Sequence, residues 1–498
     1  MAIEWSGLGP GLMVRLDRSA RQPLRDQLEA SLREAIRDGR LLAGERLPSS
    51  RELARALAVS RGMVQECYGQ LLAEGYLTSR TGSATRVADV GGQQAGSGGQ
   101  QAGISGQQPG VRPTAGRATV APGPPRPLQE PPLIADFKLG VPDLSSFPRT
   151  DWAWAIKQAC TQAAAADLGY GDPRGCLELR EVLAGYLRRV RAAAAAPAQM
   201  IISTGFAQGI NLALHTLARQ GSVTCVAFED PGYGSAHVDE TVRAALGMGI
   251  RVTYLPVDQE GLVVGELAAS GAQAVVVTPA HQSPTGVVMS PARRHALTDW
   301  ARRTGGYVIE DDYDSEFRYD KEPVGALQGL APGRVFLLGT VSKALAPAVR
   351  LGWVHAPSAL APDVAAEKEM SDRGSCLLDQ LALATLLTTG RYDRHLRRMR
   401  AVYAARRAEL TSAFARHVPG VRLTGLAAGF HAVAPLPPAA DEAAVVAAAR
   451  ERRVGLHGMG GYRGDPAAAA PPALVMGFGN VRDRAIEPAI AAVADLLR

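Results

Sequence analysis

Residues 88–131 divide this chain in two and set the strongest limit on how it can fold. Gly, Gln, Ala, Ser and Pro dominate the segment, Gly-Gln-Gln begins at 92, 99 and 106, and no aromatic residue occurs from 91 to 130. Such a composition buries too little apolar surface to offset the entropy cost of ordering it. We therefore predict a linker between two separately folded units, flexible in its Gly/Gln-rich half and extended in its Pro-rich half.

The composition of the 498 residues is that of a globular protein, with 46% hydrophobic and 20% charged residues. No apolar run is long enough to span a bilayer and Met1 to Trp5 do not begin a secretory signal, so we expect a cytoplasmic protein with no membrane partner. A formal net charge of +6 is too small for this length to establish a nucleic-acid partner by itself. The five cysteines lack paired spacing, which argues against a disulfide framework and against a zinc site.

The first unit, residues 14–87, has the pattern of three helices and a hairpin. Apolar residues at four-residue spacing predict a first helix, which ends at Gly39: Leu24, Leu28, Leu32 and Ile36. Serines at natural N-cap positions predict two more helices, with Ser49 or Ser50 starting the second and Ser60 the third, which ends at Gly75. A turn at Thr81-Gly82-Ser83 completes a winged helix-turn-helix, an α+β head.

In such a head the third helix enters the major groove of DNA, and the starts of the second and third helices face phosphates. Arg51 and Arg61 lie just inside those two starts. Residues 1–87 carry 13 Lys and Arg against 10 Asp and Glu, a balance of +3, as expected if a few arginines hold DNA. The alternative is a helical bundle with ordinary surface arginines.

Five stretches of this unit form one larger pattern: Pro23-Leu24 with Gln27-Leu28, Gly39-Arg40-Leu41 with Gly44, Leu47 to Ala54, Val59-Ser60-Arg61, and Glu74 to Leu77. Together they resemble the GntR-type winged helix. The resemblance implies binding to double-stranded DNA with contacts from Ser50, Arg51, Ser60, Arg61 and the wing residue Gly82. Met63 stands where the family usually has threonine, and Ala84 where a second glycine is common, so base preference does not carry over.

From about residue 133 onward, helical segments alternate with short runs rich in Val and Ile. The runs are Met200-Ile201-Ile202, Val223 to Phe228, Ala274 to Val277, Tyr307 to Ile309, and Val335 to Leu338. This alternation predicts an α/β fold, a mostly parallel sheet covered by helices on both faces. Ligands bind at the carboxyl ends of the strands in such sheets, so we expect the motifs that follow these runs to meet at one edge.

The motif Gly339-Thr340-Val341-Ser342-Lys343 follows the last run. A lysine at the end of an apolar strand, followed by small residues, is suited to forming a Schiff base with an aldehyde cofactor. Pyridoxal 5'-phosphate (PLP) is the candidate, with Ser342 beside the lysine and Arg350 downstream as a bidentate grip on phosphate. For Lys343 taken alone, a solvated loop lysine is the alternative.

Two further motifs follow the first two runs. Ser203 to Gln208, which include Gly205, Phe206 and Ala207, lead into a predicted helix over Gly209 to Arg219, and a glycine turn at a helix start presents free amides to a phosphate. Tyr233 follows Asp230-Pro231-Gly232 in a turn that can lay its ring over a flat ligand. Many α/β turns look like the first motif, and a packed surface tyrosine is the alternative for the second.

The segment after Ile309 is strongly acidic. A carboxylate beside the cofactor ring nitrogen would keep that nitrogen protonated, a role that we assign to Asp311, with Tyr313 reaching the phenolic oxygen. The remaining acids have two interpretations, a metal site or a structural ion-pair cluster with the nearby bases, of which we favour the second: Asp312, Asp314 and Glu316, with Arg318 and Lys321. We therefore assign no metal.

More motifs complete a second pattern: Gly140-Val141-Pro142-Asp143 with Phe147-Pro148, Tyr170-Gly171-Asp172-Pro173 with Gly175, Ser342-Lys343 with Pro347 and Arg350-Leu351-Gly352, and Arg394 to Arg400. Residues 132–498 resemble the fold type I, aspartate-aminotransferase-like PLP enzymes, with a large subdomain at about 150–355 and a small one at about 356–498. The full chain resembles the MocR-type regulators, which join that domain to a GntR winged helix. The resemblance implies a homodimer in which Tyr170 reaches the phosphate of the partner subunit.

Two departures from the aminotransferases bear on catalysis. Ser283 precedes Pro-Thr-Gly where those enzymes commonly carry an asparagine that contacts the cofactor oxygen. Residues 473–478 lack the arginine that usually holds the substrate carboxylate, and Arg463 in the preceding loop is the candidate substitute. The departures argue against efficient transamination but not against a Schiff base with PLP.

We predict a transcriptional regulator whose DNA binding responds to PLP, or to an amino acid or amine that forms a Schiff base with it, through a shift between two states. Regulators of this architecture govern vitamin B6 synthesis or amino-compound metabolism. Two alternatives stay open: an active PLP-dependent aminotransferase with an appended DNA-binding domain, and an interaction platform that binds no cofactor.

Overall fold

The computed structural model describes two compact units, one within Met1–Ala121 and one within Pro122–Arg498. The described ranges are 16–20, 22–37, 41, 44–73, 76–78, 85–88, 132–234, 239–319, 324–465 and 470–498. Almost all of the predicted linker, the predicted helix ends Gly39 and Gly75, and the predicted hairpin tip with Gly82 lie outside these ranges. None of the helices within them combines the length and the apolar composition that crossing a bilayer requires.

Within the described residues, the smaller unit has three helices and a two-stranded antiparallel sheet. Its elements are α1 (Leu24–Arg37), α2 (Ser50–Leu57), α3 (Arg61–Ala73), β1 (Leu77–Thr78) and β2 (Arg86–Val87). The predicted apolar stripe of α1 faces the core, where Leu28, Leu32 and Ile36 are buried. Strand β1 pairs with β2 so that Leu77 lies opposite Val87, and both are buried. The predicted winged helix-turn-helix is confirmed.

The helix starts of this unit are set by serine caps. Ser49 Oγ accepts a hydrogen bond from Glu52 N at 3.3 Å, and Ser49 N donates to Glu52 Oε2 at 2.8 Å, which is a capping box. Ser49, not Ser50, is therefore the N-cap of α2. Ser60 Oγ accepts from Met63 N at 3.2 Å, which confirms the predicted cap of α3.

The larger unit begins with a short strand, and further strands and helices follow it along the chain. The strands are β3 (Ala135–Asp136), β4 (Met200–Ser203), β5 (Cys225–Asp230), β6 (Arg251–Asp258), β7 (Gly261–Leu262), β8 (Ala274–Val277), β9 (Tyr307–Asp312), β10 (Val335–Thr340), β11 (Gly352–His355), β12 (His431–Pro435), β13 (Val454–Gly455) and β14 (Ala473–Gly477). The helices are α4 (Arg149–Gln162), α5 (Leu177–Arg191), α6 (Phe206–Arg219), α7 (Glu240–Gly247), α8 (Leu267–Ser270), α9 (Pro291–Thr304), α10 (Leu327–Leu330), α11 (Ala361–Asp372), α12 (Leu377–Thr388), α13 (Arg391–His417), α14 (Glu442–Glu451) and α15 (Asp483–Val493).

Eight strands form one large mixed sheet in the order β4-β11-β10-β9-β8-β5-β6-β7. Strands β10, β9, β8, β5 and β6 pair in parallel, as the alternating pattern predicts. Strand β11 is antiparallel to both of its neighbours, because the short connection from β10 contains no crossover helix. Every residue of β4, β8 and β10 is buried, which explains their continuous apolar runs.

The carboxyl-terminal part of the chain forms a second, smaller layer. Strands β12 and β14 pair antiparallel, and β13 pairs in parallel with β3, so the first strand after the predicted linker joins this part. The helices α11 and α12, which the sequence assigned to the small subdomain, pack against α6 and α4 of the large one.

Candidate functional site

The start of α6 combines two features that suit an anion, a helix amino terminus and a nearby arginine. Gly205 links β4 to α6 with φ of +102°, a left-handed conformation that favours glycine. A Cβ at this position would lie 3.3 Å from Arg350 Nη1, so the guanidinium rests directly against the glycine. The amides of Phe206 and Ala207 belong to the first helical turn, where they have no intrahelical acceptor. Helix start and arginine together suit a phosphate.

A buried lysine supports this helix start. Lys368 in α11 is fully buried, and its Nζ donates to Gln208 Oε1 at 2.9 Å, Asp372 Oδ2 at 2.6 Å and Ser375 Oγ at 3.0 Å. Gln208 Oε1 also accepts from Thr204 N at 2.9 Å, which joins the lysine to the turn before Gly205. Burial lowers the pKa of Lys368, and the bond to Asp372 opposes that shift.

Asp311 lies next to the end of β9 with one oxygen held and one free. Its Oδ2 accepts from Tyr233 OH at 2.6 Å, whereas the buried Oδ1 has no hydrogen-bond partner among the described residues. Burial raises the pKa of Asp311 to about 7, and the bond from Tyr233 opposes the shift. A protonated ring nitrogen would supply the missing donor and a compensating positive charge.

The two acids that flank Asp311 face the opposite side of the sheet, as alternation along a strand requires. Asp312 accepts from Arg191 Nε at 2.7 Å and from Arg191 Nη2 at 3.0 Å, and Glu310 Oε2 accepts from Gln328 N at 3.1 Å. The predicted ion-pair cluster of Asp312 and Asp314 with Arg318 is therefore wrong. Asp312 pairs with Arg191 and Asp314 with His281, while Lys321 lies outside the described residues.

Tyr233 contacts both the carboxylate of Asp311 and the start of α6. Its ring stacks on that of Phe206 with centroids 5.5 Å apart and planes within 4°. Its hydroxyl reaches Asp311, so an unbroken set of contacts runs from Arg350 through the start of α6 to the carboxylate.

Lys343 follows β10 and points its amine at a backbone carbonyl. Nζ donates to Gly140 O at 2.7 Å, and a Cβ at Gly140 would lie 3.2 Å from Nζ. Burial lowers the pKa of Lys343, while the charges of Asp311 and Asp314 oppose the shift. A lowered pKa raises the neutral amine fraction that attacks an aldehyde. Ser342 is buried beside it and donates its amide to Thr340 Oγ1 at 3.1 Å.

The loop that carries Ser283 is anchored by a buried acid. Glu229 Oε2 accepts from Thr278 Oγ1 at 2.7 Å and from Gln282 Nε2 at 3.3 Å, and burial raises the pKa of Glu229 to about 7. Ser283 N donates to Thr278 Oγ1 at 3.0 Å. Tyr313 OH donates to His281 O at 2.9 Å, so it lies against the same loop.

Tyr170 stands apart from the other candidate residues. Its side chain is 82% exposed and lies near Arg373, whose Cζ is 5.7 Å from the ring centroid. The two residues border a cleft of about 1240 Å³ formed by the segments 166–178 and 372–381. Within the single chain, Tyr170 thus contributes to a surface rather than to the pocket.

The candidate DNA contacts occupy the exposed starts of α2 and α3. Arg51 and Arg61 are both exposed, in the first turns of those helices. Ser60 is exposed but its hydroxyl already caps α3, and Ser50 is half-buried. These positions suit phosphate contacts by arginine beside helix amides.

Comparisons with known proteins agree with both units. Residues 24–87 match the family described as bacterial regulatory proteins, gntR family, and residues 135–458 match aminotransferase class I and II. The regulator YhdI of Bacillus subtilis is 33% identical over 87% of this chain and 88% of its own length. The probable rhizopine catabolism regulatory protein MocR of Rhizobium meliloti is 34% identical over 82% of this chain and 80% of its own length. The chain belongs to the MocR-type transcriptional regulators.

Two further similar proteins differ in how much of this chain they match. The pyridoxine biosynthesis regulator PdxR of Corynebacterium glutamicum is 30% identical over 94% of this chain and 95% of its own length. A kynurenine aminotransferase from Pyrococcus horikoshii superposes with a TM-score of 0.64 at 24% identity, covering 73% of this chain and 90% of that one. The enzyme shares the aminotransferase fold, whereas the regulators share both halves of the MocR-type chain.

Several residues that contact the candidate pocket were not assigned to it from the sequence, although Gly140 lies in a motif that carries the resemblance to the PLP enzymes. They are Gly140, Lys368, Gln208, Thr278 and Glu229, which contact the site through partners distant in sequence. Lys368 had a detectable signal, because Ala361, Val364 and Lys368 recur at helical spacing and share the buried face of α11.

Proposed function

We propose that this MocR-type regulator binds PLP in the pocket between Asp311, Lys343 and the start of α6, and that occupancy of the pocket controls its binding to DNA. The unpartnered, buried Oδ1 of Asp311 carries the proposal, because it lacks the donor that a protonated pyridine nitrogen would supply. When bound, PLP supplies an aldehyde that condenses with amines and a ring that withdraws electrons. Lys343 would hold the aldehyde, Arg350 and the α6 amides the phosphate, and Tyr233 and Tyr313 the ring.

The pocket favours sensing over turnover of amino acids. Strand β14 contains no arginine for a substrate carboxylate, and Ser283 replaces the asparagine expected near the cofactor oxygen. We propose that Arg463 receives the acidic group of an effector instead. The backbone on both sides of it is tied to the turn before Tyr233, since Gly232 N donates to Tyr462 O at 2.8 Å and Gly464 N to Asp230 Oδ1 at 3.2 Å.

We also propose that the regulator is a homodimer with shared sites. Of the eight large apolar side chains that are exposed among the described residues, the four most exposed are Leu168 (62%), Tyr170 (82%), Leu177 (55%) and Met370 (75%). Three of them border or lie near the cleft that includes Tyr170, and burying such residues favours association. In the dimer Tyr170 would reach the phosphate held by the partner subunit.

The relatives suggest which genes are controlled. One is named for pyridoxine biosynthesis and another for rhizopine catabolism. We propose control of vitamin B6 or amino-compound metabolism, with PLP itself or an amino compound as the effector and a cellular DNA operator as the partner.

A cofactor titration tests this proposal. We expect the full chain to develop a visible absorption band when PLP is added, and the PLP-loaded and PLP-free forms to differ in affinity for the DNA upstream of the regulated gene. Lys343→Ala should lose the band and the response of DNA binding, whereas Lys157→Ala, at an exposed lysine of α4, should retain both. A band that survives in Lys343→Ala would refute the assignment of the lysine.

Mixed dimers test the shared site. Neither Tyr170→Ala nor Lys343→Ala alone should bind PLP normally. When the two chains are mixed and allowed to exchange, one site of each hybrid combines an intact Lys343 with an intact Tyr170 from its partner. Part of the visible band should then return. No recovery in verified hybrids would exclude a Tyr170 contribution across the interface.

A further inference from the structure

Two histidines and an aspartate form a buried cluster next to the pocket. His281 follows β8, Asp314 follows β9 and His431 begins β12, and all three are 1% exposed. One ligand atom from each residue lies within 4.8 Å of the corresponding atoms of the other two. The acidic segment therefore contributes only Asp314 to this cluster, and its other members come from positions 33 and 117 residues away.

The contacts within the cluster leave one ring nitrogen unsatisfied. His281 Nδ1 lies 2.8 Å from Asp314 Oδ2, and the rings of His281 and His431 have centroids 4.5 Å apart at 41°. His431 also has a hydrogen bond with the backbone of Pro284. Its Nε2 is buried and has no hydrogen-bond partner in the described part of the chain. A buried polar atom without a partner destabilises the folded state, so an occupant that uses this lone pair would stabilise the fold.

The donor set identifies the chemistry of that occupant. Two imidazole nitrogens and one carboxylate are ligands for first-row divalent transition metals, and they suit Zn²⁺, Co²⁺ or Ni²⁺ better than Mg²⁺ or Ca²⁺, which prefer oxygen. Ligand atoms around a tetrahedral zinc ion lie about 3.3 Å apart, given zinc–ligand bonds of about 2.0–2.1 Å. Small side-chain movements therefore convert the present spacing into coordination spacing.

A glycine permits this close arrangement. Gly429 precedes His431 by two residues and has φ of +64°. A Cβ at this position would collide with Asp314 Oδ2 and with His281 Cε1. Only glycine therefore lets the chain that carries His431 approach the other two ligands without displacing them.

We propose that His281, Asp314 and His431 bind one first-row divalent transition-metal ion, with water completing its coordination. His281 and Asp314 follow strands of the large sheet, whereas His431 belongs to the β12–β14 pair, so the ion joins the two layers of the larger unit. Tyr313 OH lies 3.4 Å from His281 Nδ1, which places the ion beside a residue proposed to face PLP. Neither the site nor its test depends on PLP binding.

Metal content provides the first test. The full chain is stripped with a chelator and dialysed against Zn²⁺ or Co²⁺ without added PLP. Cys160→Ser and Cys376→Ser are introduced first, because these exposed thiols are competing ligands. We expect one ion per chain, a loss of affinity of at least 100-fold in His431→Phe and in His281→Gln, and no change in His417→Gln, whose partly exposed ring lies outside the cluster. No stoichiometric binding, or equal binding by His431→Phe, would overturn the proposal.

A second measurement, on the chain with all three proposed metal-binding side chains intact, covers the case in which these variants fail to fold. X-ray absorption at the zinc edge of the same chain with its histidines intact should show two imidazoles and no sulfur. The melting temperature should also rise with Zn²⁺ but not with an equal concentration of Mg²⁺. A zinc spectrum with fewer than two imidazoles, or equal stabilisation by Mg²⁺, would contradict the site.

Discussion

The two folded units place their functional charges in opposite surroundings. In the smaller unit, Arg51 and Arg61 are exposed at helix starts and carry the proposed contacts to DNA. In the larger unit, Asp311 and Lys368 are buried, and each is held by residues from other elements. Exposed charges can contact a polyanion such as DNA without rearrangement of the protein, whereas a buried charge destabilises the fold unless other groups pair with it.

This difference predicts different consequences of mutation. Removing an exposed arginine should change binding and leave folding intact. Changing a buried charge should alter stability and binding together. Whether stability rises or falls should depend on whether the charged group has hydrogen-bond partners. Asp311 lacks a partner for one oxygen, whereas Lys368 has three acceptors, so the two are expected to respond in opposite directions.

The largest effect is expected for Asp311→Asn in the absence of PLP. Burial raises the folded pKa of Asp311 to about 7, so the wild-type chain loses stability as pH rises from about 4 to about 7. The asparagine variant has no such loss. Its advantage should therefore be near zero at pH 4, grow through this window and level off above pH 7 at a few kcal/mol. Urea unfolding of the larger unit at several pH values measures it.

The same substitution should weaken PLP binding, because asparagine cannot pair with a protonated ring nitrogen. Asp363→Asn, on the exposed face of α11, is the matched control and should change neither property. If Asp311→Asn were less stable than the wild type at pH 8 without PLP, the ionised carboxylate of Asp311 would not destabilise the PLP-free fold.

A smaller effect is expected for Lys368→Met, with a readout specific to phosphate. Loss of the lysine frees Gln208 and Asp372 and loosens the turn before Gly205. We expect the preference for PLP over pyridoxal, which lacks the phosphate, to fall about tenfold, or about 1.4 kcal/mol. Equal weakening of both ligands would indicate a general packing defect rather than a role at the helix start. Lys157→Met provides the surface control.

For Arg61→Ala, we expect weaker DNA binding with no change in folding. Losing one phosphate contact should lower the slope of log affinity against log salt by about 0.9. The free energy of unfolding should stay within about 0.5 kcal/mol of the wild type, because the side chain is exposed. Arg55→Ala, in the last turn of α2, is the control and should leave the salt slope unchanged. An unchanged salt slope would remove Arg61 from the interface.

Local pattern was enough to predict much of this molecule. The runs before Asp311 and Lys343 form β9 and β10, and the spacing of Leu28 and Leu32 predicted the buried face of α1. Pairings between distant residues were not predictable in this way. Asp312 and Arg191 are 121 positions apart, and His431 meets His281 across 150, since these contacts follow from the order of strands. The incorrect pairing of Asp312 with Arg318 arose from treating closeness in sequence as closeness in space.

The smallest effects separate the neighbouring residues Ser49 and Ser50. Ser49 closes the capping box of α2, so Ser49→Ala should destabilise the smaller unit by about 1 kcal/mol, while Ser49→Asp should largely preserve its stability. Ser50 makes no cap, so Ser50→Ala should leave stability nearly unchanged and reduce DNA affinity only. Hydrogen exchange of the α2 and α3 amides in the full chain measures the first effect, and a salt titration of DNA binding the second. If the two substitutions had the same effects on stability and on DNA affinity, the helix cap and the DNA contact would not be assigned to different serines. Folding and DNA binding would then not be separable in this unit.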